Sequence, residues 1–328
     1  MKHHYVPVFY QKHFAASDGL LWVYDRKLKT CKQLHPLSIC FEHDLYALNM
    51  PTGVNQVVET EFLREVDGVT SAALRKLPSV LAAPGGDLLG EIMYFAALQY
   101  LRVPANKQVI SMIYETGATD LMEVAFANVE RATAVMKDYA TKAGKELKVS
   151  PERMVKAIKS GSVKFVATEM PFIKTVVEQT KFYAKVFSEL NVGILISPPE
   201  VGFVLSDNPV TVVPHPSLST AGVKSPGTFV FVPLTRSLCL RLGQPRSGWG
   251  LKNIDRETVR FINENTAINS DRFVMGPSKL QIESVIRRSG STDINNKPRW
   301  VTTKIPDEKG GILRQLTAQP RQLHYLKV

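Results

Sequence analysis

Residues 191–205 read NVGILISPPEVGFVL, and the pattern of the chain changes at this stretch. Before it, over about residues 54–190, apolar residues recur at steps of three and four, which indicates helices. After it, short apolar runs rich in β-branched residues alternate with turn residues, which favours strands. Residues 192–196 and 202–205 flank Ser197-Pro198-Pro199-Glu200 and so predict a hairpin. A helical half followed by a β-rich half predicts an α+β fold.

Two further elements complete the predicted fold. Near the amino terminus, apolar runs at residues 20–25 and 30–34 flank a polar turn, which predicts a small β-hairpin. After the β-rich segment, Asp255 is a typical N-cap, and a late helix is expected to follow it to about residue 269. The predicted class is therefore α+β, with a helix-rich amino-terminal half that carries the hairpin, followed by the β-rich segment and the late helix.

The predicted domain organisation is simple. No change of composition marks a linker, so residues 1–288 are expected to form a single integrated α+β domain. Within it we expect a helical lobe over about residues 54–190 and a β-rich lobe over about residues 191–276. Residues 289–328 are polar, with Gly, Pro and an excess of Lys and Arg, and they predict a basic, partly mobile carboxy-terminal tail.

The charge balance narrows the class of partner. The chain has 41 Lys and Arg against 30 Asp and Glu, a formal net charge of +11, and a pI near 9.5. An excess of this size favours a polyanion, and we expect nucleic acid, although an anionic membrane surface is compatible with the charge alone. Hydrophobic residues make up 44% of the chain, which excludes a protein that is disordered throughout.

The sequence also makes predictions about location. It contains no run of about 18 apolar residues, so we expect no membrane-spanning helix. The opening residues lack the apolar stretch of a signal peptide. Cys31, Cys40 and Cys239 are odd in number and lack metal-site spacing, which is typical of a reduced compartment. The predicted location is cytoplasmic.

The opening residues His3-His4-Tyr5-Val6-Pro7 are the first candidate group. Adjacent residues on an extended segment point to opposite faces, so one imidazole can enter a cleft while the other braces the backbone. Histidine titrates near neutral pH and serves as general acid, general base or metal ligand. His3 and His4 are therefore predicted to be catalytic; the alternative is a histidine pair on the surface.

A second group lies on a helix that is apolar almost all round. Glu91, Phe95, Gln99 and Arg102 follow steps that place them on one stripe of this helix. Burying an acid, an amide and a guanidinium is costly unless they are paired. Arg102 is predicted to be a catalytic residue that binds an anionic oxygen, and Gln99 to bind substrate. The alternative is a structural network between Glu91 and Arg102.

The third group, Ser206-Asp207-Asn208-Pro209, follows an apolar strand. Asp and Asn before Pro mark a tight turn whose side chains bond the local backbone, and this is the structural alternative. At a strand end, however, Asp207 can orient a histidine or hold a metal, and it is predicted to be catalytic. Asn208 beside it and Asn263 on the late helix are predicted to bind substrate.

An acidic run on one predicted helix supplies the candidate metal ligands. Glu59 and Asp67 lie eight residues apart, roughly on one face of that helix. A pair of inward carboxylates can bind Mg²⁺ or Mn²⁺, so the sequence allows a divalent metal as cofactor at Glu59 and Asp67. The alternative is a solvated acidic face.

In their order and spacing these motifs resemble domain-of-unknown-function family 4238, which is found widely in bacteria. The resemblance runs from His3 to about Gly276 and departs from the family pattern at Asp67, where glutamate is more usual, and at Thr235, where serine is. It is carried by residues 3–7, 22–25, 99–104, 205–210, 232–235 and Asn263. The family has no established activity, so the resemblance implies which residues converge but not what they do.

Together these groups favour a phosphodiester hydrolase acting on nucleic acid, similar to a nuclease. In this reading a histidine takes a proton from water or a ribose hydroxyl, Arg102 stabilises charge on the phosphate and Asp207 orients the histidine, with or without a divalent metal. The motifs of P-loop NTPases, dinucleotide enzymes, α/β-hydrolases and zincins are absent from the sequence. Two alternatives stay open: a nucleic-acid-binding or regulatory module without chemistry, and a hydrolase or transferase that acts on a small anionic substrate.

Overall fold

The structure, a computed structural model, describes most of the 328-residue chain. The described residues are 1–82, 84–145, 147–215, 222–243, 250–290, 299–306 and 312–319, the last two ranges as strand backbone only. The mobility predicted for the tail falls largely on residues 291–298, 307–311 and 320–328, which lie outside the described residues. No helix in the described part of the chain is long and apolar enough to cross a membrane.

Helices dominate the segment in which the apolar spacing predicts them. The helices of the described residues are α1 (Val8–Lys12), α2 (Arg64–Lys76), α3 (Gly86–Leu101), α4 (Pro104–Ala125), α5 (Val129–Ala143), α6 (Pro151–Lys159), α7 (Met170–Ser188), α8 (Arg256–Asn269) and α9 (Lys279–Ser289), of which α2 to α7 lie in that segment. A π-helical stretch, Val58–Leu63, leads directly into α2. Because α3 is apolar almost all round, nine of its sixteen residues are buried. Its C-cap is Arg102, and Pro104 then begins α4, since proline is tolerated in the first turn of a helix.

The strands form two larger sheets and several two-stranded ones. They are β1 (Lys2–His4), β2 (Leu21–Asp25), β3 (Thr30–Leu34), β4 (Phe41–His43), β5 (Leu48–Met50), β6 (Gly53–Asn55), β7 (Asn191–Ile196), β8 (Leu205–Ser206), β9 (Thr211–Val213), β10 (Phe229–Pro233), β11 (Leu238–Gly243), β12 (Gly250–Asn253), β13 (Phe273–Gly276), β14 (Arg299–Pro306) and β15 (Ile312–Gln319). One sheet has the strand order β12-β7-β11-β10-β9, and the other has the order β3-β2-β13-β8. With helices in the first half and the larger sheets later, the structure confirms the α+β prediction.

The hairpin predicted within residues 191–205 is wrong. β7 pairs antiparallel with β11 and parallel with β12, whereas β8 pairs with β13 in the other sheet. The residues between them therefore carry the chain from one sheet to the other, and Phe203 donates its backbone N–H to the carbonyl of Arg236 (2.8 Å) on the way. The alternation of apolar residues indicates strands but does not identify the partner of each strand. The predicted hairpin therefore joined two strands that lie in different sheets.

The chain forms two compact units. The first contains Met1–Lys107, Phe172–Arg299 and Ala318–Val328, and the second contains Gln108–Pro171 and Trp300–Thr317. These borders differ from those of the predicted lobes, because the second unit takes only part of the helical segment. It has its own apolar cluster, formed by Phe126, Ala132, Val155 and Ile158. Every predicted site residue lies in the first unit.

Candidate active site

The amino-terminal segment is fixed in the first unit as a strand. β1 pairs antiparallel with β4, which places His3 opposite Glu42. The next residue, Tyr5, donates its backbone N–H to the carbonyl of Cys40 (3.0 Å). His3 is fully buried and His4 is partly buried, so the two histidines are not a free surface pair.

His3 is held by Tyr46. Its Nδ1 accepts a hydrogen bond from the backbone N–H of Tyr46 (3.0 Å), and the two rings stack with their centroids 5.7 Å apart. The Tyr46 hydroxyl donates to the carbonyl of Arg102 (2.7 Å), which links the histidine to the end of α3. Burial lowers the pKa of His3, although a contact with Gln56 and the charge of Asp44 oppose this effect. His3 is therefore neutral at pH 7, and because Nδ1 accepts, its proton is on Nε2.

Arg102 is the centre of the buried polar groups. Its Nε donates to Gln99 Oε1 (3.0 Å), and its Nη1 donates to Asp67 Oδ1 (3.0 Å). Gln99 donates in turn from Nε2 to the carbonyl of Tyr5 (2.8 Å). The side chains of Arg102 and Gln99 are fully buried. Asp67 is thus the acid that pairs with Arg102, rather than Glu91, and the hydrogen bonds tie the amino-terminal segment to α3.

The ionisable groups around Arg102 have shifted pKa values in opposite directions. Burial raises the pKa of Glu59 to about 7, because desolvation outweighs the attraction of the Arg102 charge. Burial also raises the pKa of Asp67, against the effect of its ion pair with Arg102. Burial lowers the pKa of His4, a backbone hydrogen bond at Leu37 opposes this, and the charge of Arg102 adds to it. Near pH 7 the site therefore combines a neutral imidazole with a partly protonated carboxyl group, which is a suitable pair for acid–base chemistry.

Several buried polar atoms in this region have no hydrogen-bond partner among the described residues. They include His4 Nε2, Glu59 Oε2 and Arg102 Nη2. Buried polar atoms in native proteins are nearly always bonded, so atoms of this kind are typical of places that bind water, an ion or a substrate. We refer to seven side chains as the amino-terminal polar cluster: His3, His4, Tyr46, Glu59, Asp67, Gln99 and Arg102.

Asp207 is predicted to orient a histidine, but the hydrogen bonds that it makes go to backbone amides. It is 3% exposed, and its two carboxylate oxygens accept hydrogen bonds from the backbone amides of Asp271 (2.8 Å), Arg272 (2.6 Å) and Phe273 (3.0 Å). Burial raises the pKa of Asp207 to about 6, although the three amides oppose the shift. Its charge contributes to the raised pKa of Tyr5, so Asp207 lies near the segment that follows the histidines. The carboxylate thus fixes the turn before β13, which is more than sixty residues away along the chain, whereas the structural alternative was a bond to the local backbone.

The two asparagines predicted to bind substrate also bond to backbone groups. Asn208 donates from Nδ2 to the carbonyl of Asn269 (3.2 Å), and Asn269 returns a bond to the carbonyl of Asn208 (2.8 Å). Asn263 Oδ1 accepts from the N–H of Val204 (3.0 Å), and its Nδ2 donates to the carbonyl of Gly202 (2.9 Å). Both amides therefore attach α8 to the segments around β8, and the amino-terminal polar cluster contains neither.

Comparison with known families identifies the family of the chain. The family model described as "Protein of unknown function (DUF4238)" matches residues 2–279. The chain belongs to this family. The matched range contains the whole amino-terminal polar cluster together with Asp207, Asn208 and Asn263. No curated protein and no solved structure matches the chain.

The candidate metal ligands of this family member both lie beside a guanidinium. Asp67 bonds to Arg102, and Arg102 also attracts the charge of Glu59, so part of the negative charge that would hold a cation is already neutralised. Within the described ranges, no three or more His, Cys, Asp and Glu side chains form a group that could hold a metal ion. A divalent cation at Glu59 and Asp67 stays a prediction.

Two residues of the region were missed in the sequence. Tyr46 stacks on His3, and Gln56 donates from Nε2 to Asp44 Oδ1 (2.9 Å) and also contacts His3. Both residues lie before α2, in a segment without the regular apolar spacing that would show which side chains point inward. The apolar run around Tyr46, which directly follows the charged residues 42–44, could have indicated that Tyr46 is buried.

Proposed function

We propose that the chain is a phosphodiester hydrolase, with the amino-terminal polar cluster as its active site. The observation that carries this proposal is that His4, Glu59 and Arg102 each have a buried polar atom without a partner among the described residues, while the charge of Arg102 acts on the pKa values of the other two. The net charge of +11 supports nucleic acid as the substrate, because a basic surface attracts a polyanion. The same charge supports nucleic acid as a partner outside the site.

The proposed reaction uses the opposite pKa shifts of the two ionisable groups. His4, which is neutral at pH 7, takes a proton from water as the water oxygen attacks phosphorus. Glu59 donates its proton to the oxygen that leaves when the other phosphorus–oxygen bond breaks. Arg102 stabilises the negative charge that develops on the phosphoryl oxygens, and Asp67 and Gln99 hold its guanidinium in place.

The direct test is cleavage of labelled RNA and DNA by the purified chain, with and without Mn²⁺. We expect His4→Ala and Glu59→Gln each to reduce the cleavage rate by roughly 10²- to 10⁴-fold, as for other general acids and bases. His43→Ala and Glu61→Gln are matched controls, because both side chains are exposed and lie close to the altered residues in sequence. The controls should cleave at the wild-type rate.

Two outcomes would count against this proposal. Cleavage that persists unchanged in both His4→Ala and Glu59→Gln would remove the site assignment. Salt-sensitive binding of RNA or DNA without cleavage of any substrate would favour a binding or regulatory module instead.

The pH profile of cleavage checks the roles of the two groups. The rate should rise with pH as His4 loses its proton below its ordinary value of about 6.5, since the base must be neutral. It should fall again near pH 7 as Glu59, with its pKa raised to about 7, loses the proton it must donate. In Glu59→Gln the decrease of the cleavage rate above pH 7 should disappear. If the decrease persisted in this variant, another group would be the general acid.

The burial of Arg102 favours a second candidate, a hydrolase or transferase acting on a small anionic substrate. Arg102 and His3 are fully buried, so a small anion reaches these side chains more readily than a duplex does. A chromogenic small phosphodiester belongs in the same assay. Turnover of that compound without cleavage of RNA or DNA would select the second candidate.

The proposal also includes a cytoplasmic location. It is supported by Cys31, Cys40 and Cys239, all of which are free thiols in the structure.

A further inference from the structure

A cavity in the first unit lies among α8, α9 and residues 199–202. Its volume is about 650 Å³, which is within the range of about 300–1,000 Å³ that is usual for small-molecule sites. None of the described residues that line it belongs to the amino-terminal polar cluster. The cavity is therefore separate from the proposed active site.

Arginines dominate the charge of this cavity. Arg236, Arg256, Arg260 and Arg288 line its walls. Arg288 forms an ion pair with Glu264 (Nε to Oε1, 2.6 Å). The guanidinium groups of the other three make no hydrogen bond and no ion pair within the part of the chain that the structure describes. The lining thus includes three arginines whose guanidinium groups are available for an anionic ligand.

The helix ends at the cavity add to its positive potential. Arg256 is the first residue of α8, where the helix dipole is positive and a cation is unfavourable for the stability of the helix. Ser278, the N-cap of α9, also lines the cavity and gives no side-chain hydrogen bond to the first turn. Glu200, the other acid at the wall, is exposed to solvent. The arrangement favours a ligand with several negative charges.

The floor of the cavity is well defined. The carbonyl of Gly202 accepts hydrogen bonds from Asn263 Nδ2 (2.9 Å) and Gln281 Nε2 (2.7 Å), which join α8 and α9 to the loop before β8. A Cβ at Gly202 would lie 2.8 Å from the carbonyl oxygen of Arg236, so only glycine allows this close approach. On the wall, Leu280 is 79% exposed and offers an apolar surface next to the arginines.

From these features we propose that the cavity binds a phosphate-bearing small molecule of nucleotide size. The three arginines contact the phosphate groups, and the apolar surface at Leu280 contacts the base. This site is independent of the proposed hydrolase activity, so either proposal can fail without the other.

The test uses ATP as the probe and isothermal titration calorimetry as the measurement. We expect ATP to bind the full chain and the Arg256→Ala/Arg260→Ala double variant to bind it at least about tenfold more weakly, since two charge-assisted contacts are lost. Arg287→Ala is the control, because Arg287 is an exposed arginine on α9 that does not line the cavity. It should bind ATP with the wild-type affinity.

Further arms distinguish phosphate recognition from other causes of binding. Adenosine, which carries no phosphate, should show no binding under the same conditions. Any of three results would overturn the proposal: no binding of ATP, equal weakening in Arg287→Ala and the double variant, or adenosine binding as tight as that of ATP. Binding of a single-stranded oligonucleotide at this site without binding of ATP would also overturn it and would assign the cavity to nucleic acid.

Discussion

At the scale of single residues, Arg102 is a buried charge that acts on the pKa values of its neighbours. Its charge is removed from water, so it depends on the hydrogen bonds to Gln99 and Asp67 for its stability. The same charge opposes the raised pKa of Glu59 and contributes to the lowered pKa of His4. Burial of the two side chains is the main cause of both pKa shifts, and the charge of Arg102, which makes no contact with bulk solvent, modifies them.

Asp207 gives a prediction of stability at the same scale. Asp207→Asn replaces one accepting oxygen with an NH₂ group, which faces backbone amides that are also donors. We expect the free energy of unfolding to fall by about 1–3 kcal/mol, as for other buried donors that lose their partner. Urea unfolding of the wild type and the variant measures the difference.

A matched control for this change is Asp87→Asn, an exposed carboxylate in the first turn of α3. It should alter the free energy of unfolding by less than about 0.5 kcal/mol. If Asp207→Asn were no more destabilising than Asp87→Asn, the three amide bonds would not stabilise the turn before β13.

At the scale of elements, the sequence predicted the type of each segment better than its partner. The apolar residues of α3 predicted a buried helix with Gln99 and Arg102 on one stripe, and both are buried. The spacing could not show that Asp67, rather than Glu91, pairs with Arg102, because the partner comes from another helix. The sequence did not predict the partners of β7 for the same reason. The alternation of apolar residues is a property of β7 alone, whereas β11 and β12, with which it pairs, lie far away along the chain.

Gln99 supports a prediction about the docking of β1. Gln99→Met keeps the length of the side chain but removes its bonds to the carbonyl of Tyr5 and to Arg102. We expect amide hydrogen exchange of residues 2–5 to become at least about tenfold faster, because the strand loses an anchor to α3. Hydrogen exchange read by mass spectrometry on the amino-terminal peptide measures the effect.

Gln108→Met is the control for this experiment, since Gln108 is exposed and lies on the next helix, α4. It should leave exchange in residues 2–5 unchanged. Equal exchange in the two variants would mean that β4 alone holds the amino-terminal strand.

At the scale of the whole molecule, the net charge of +11 gives a prediction about salt for the proposed binding of nucleic acid. The logarithm of the affinity for a single strand should fall linearly with the logarithm of salt concentration, with a slope of about −0.7 for each phosphate contacted. Fluorescence anisotropy of a labelled single-stranded RNA, titrated at several salt concentrations, measures the slope. A peptide nucleic acid of the same sequence, whose backbone is uncharged, should bind far more weakly, and an affinity independent of salt would contradict the role of the charge.

The pairing of β2 with β13 has a consequence for synthesis of the chain. Asp25 at the end of β2 and Arg272 just before β13 form an ion pair although they are 247 residues apart. Ribosomes add roughly 5–20 residues per second, so β2 and β3 leave the exit tunnel long before their neighbouring strand is translated. During that interval one edge of the nascent β2 is open to other chains, and a chaperone that shields it would increase the yield of folded protein.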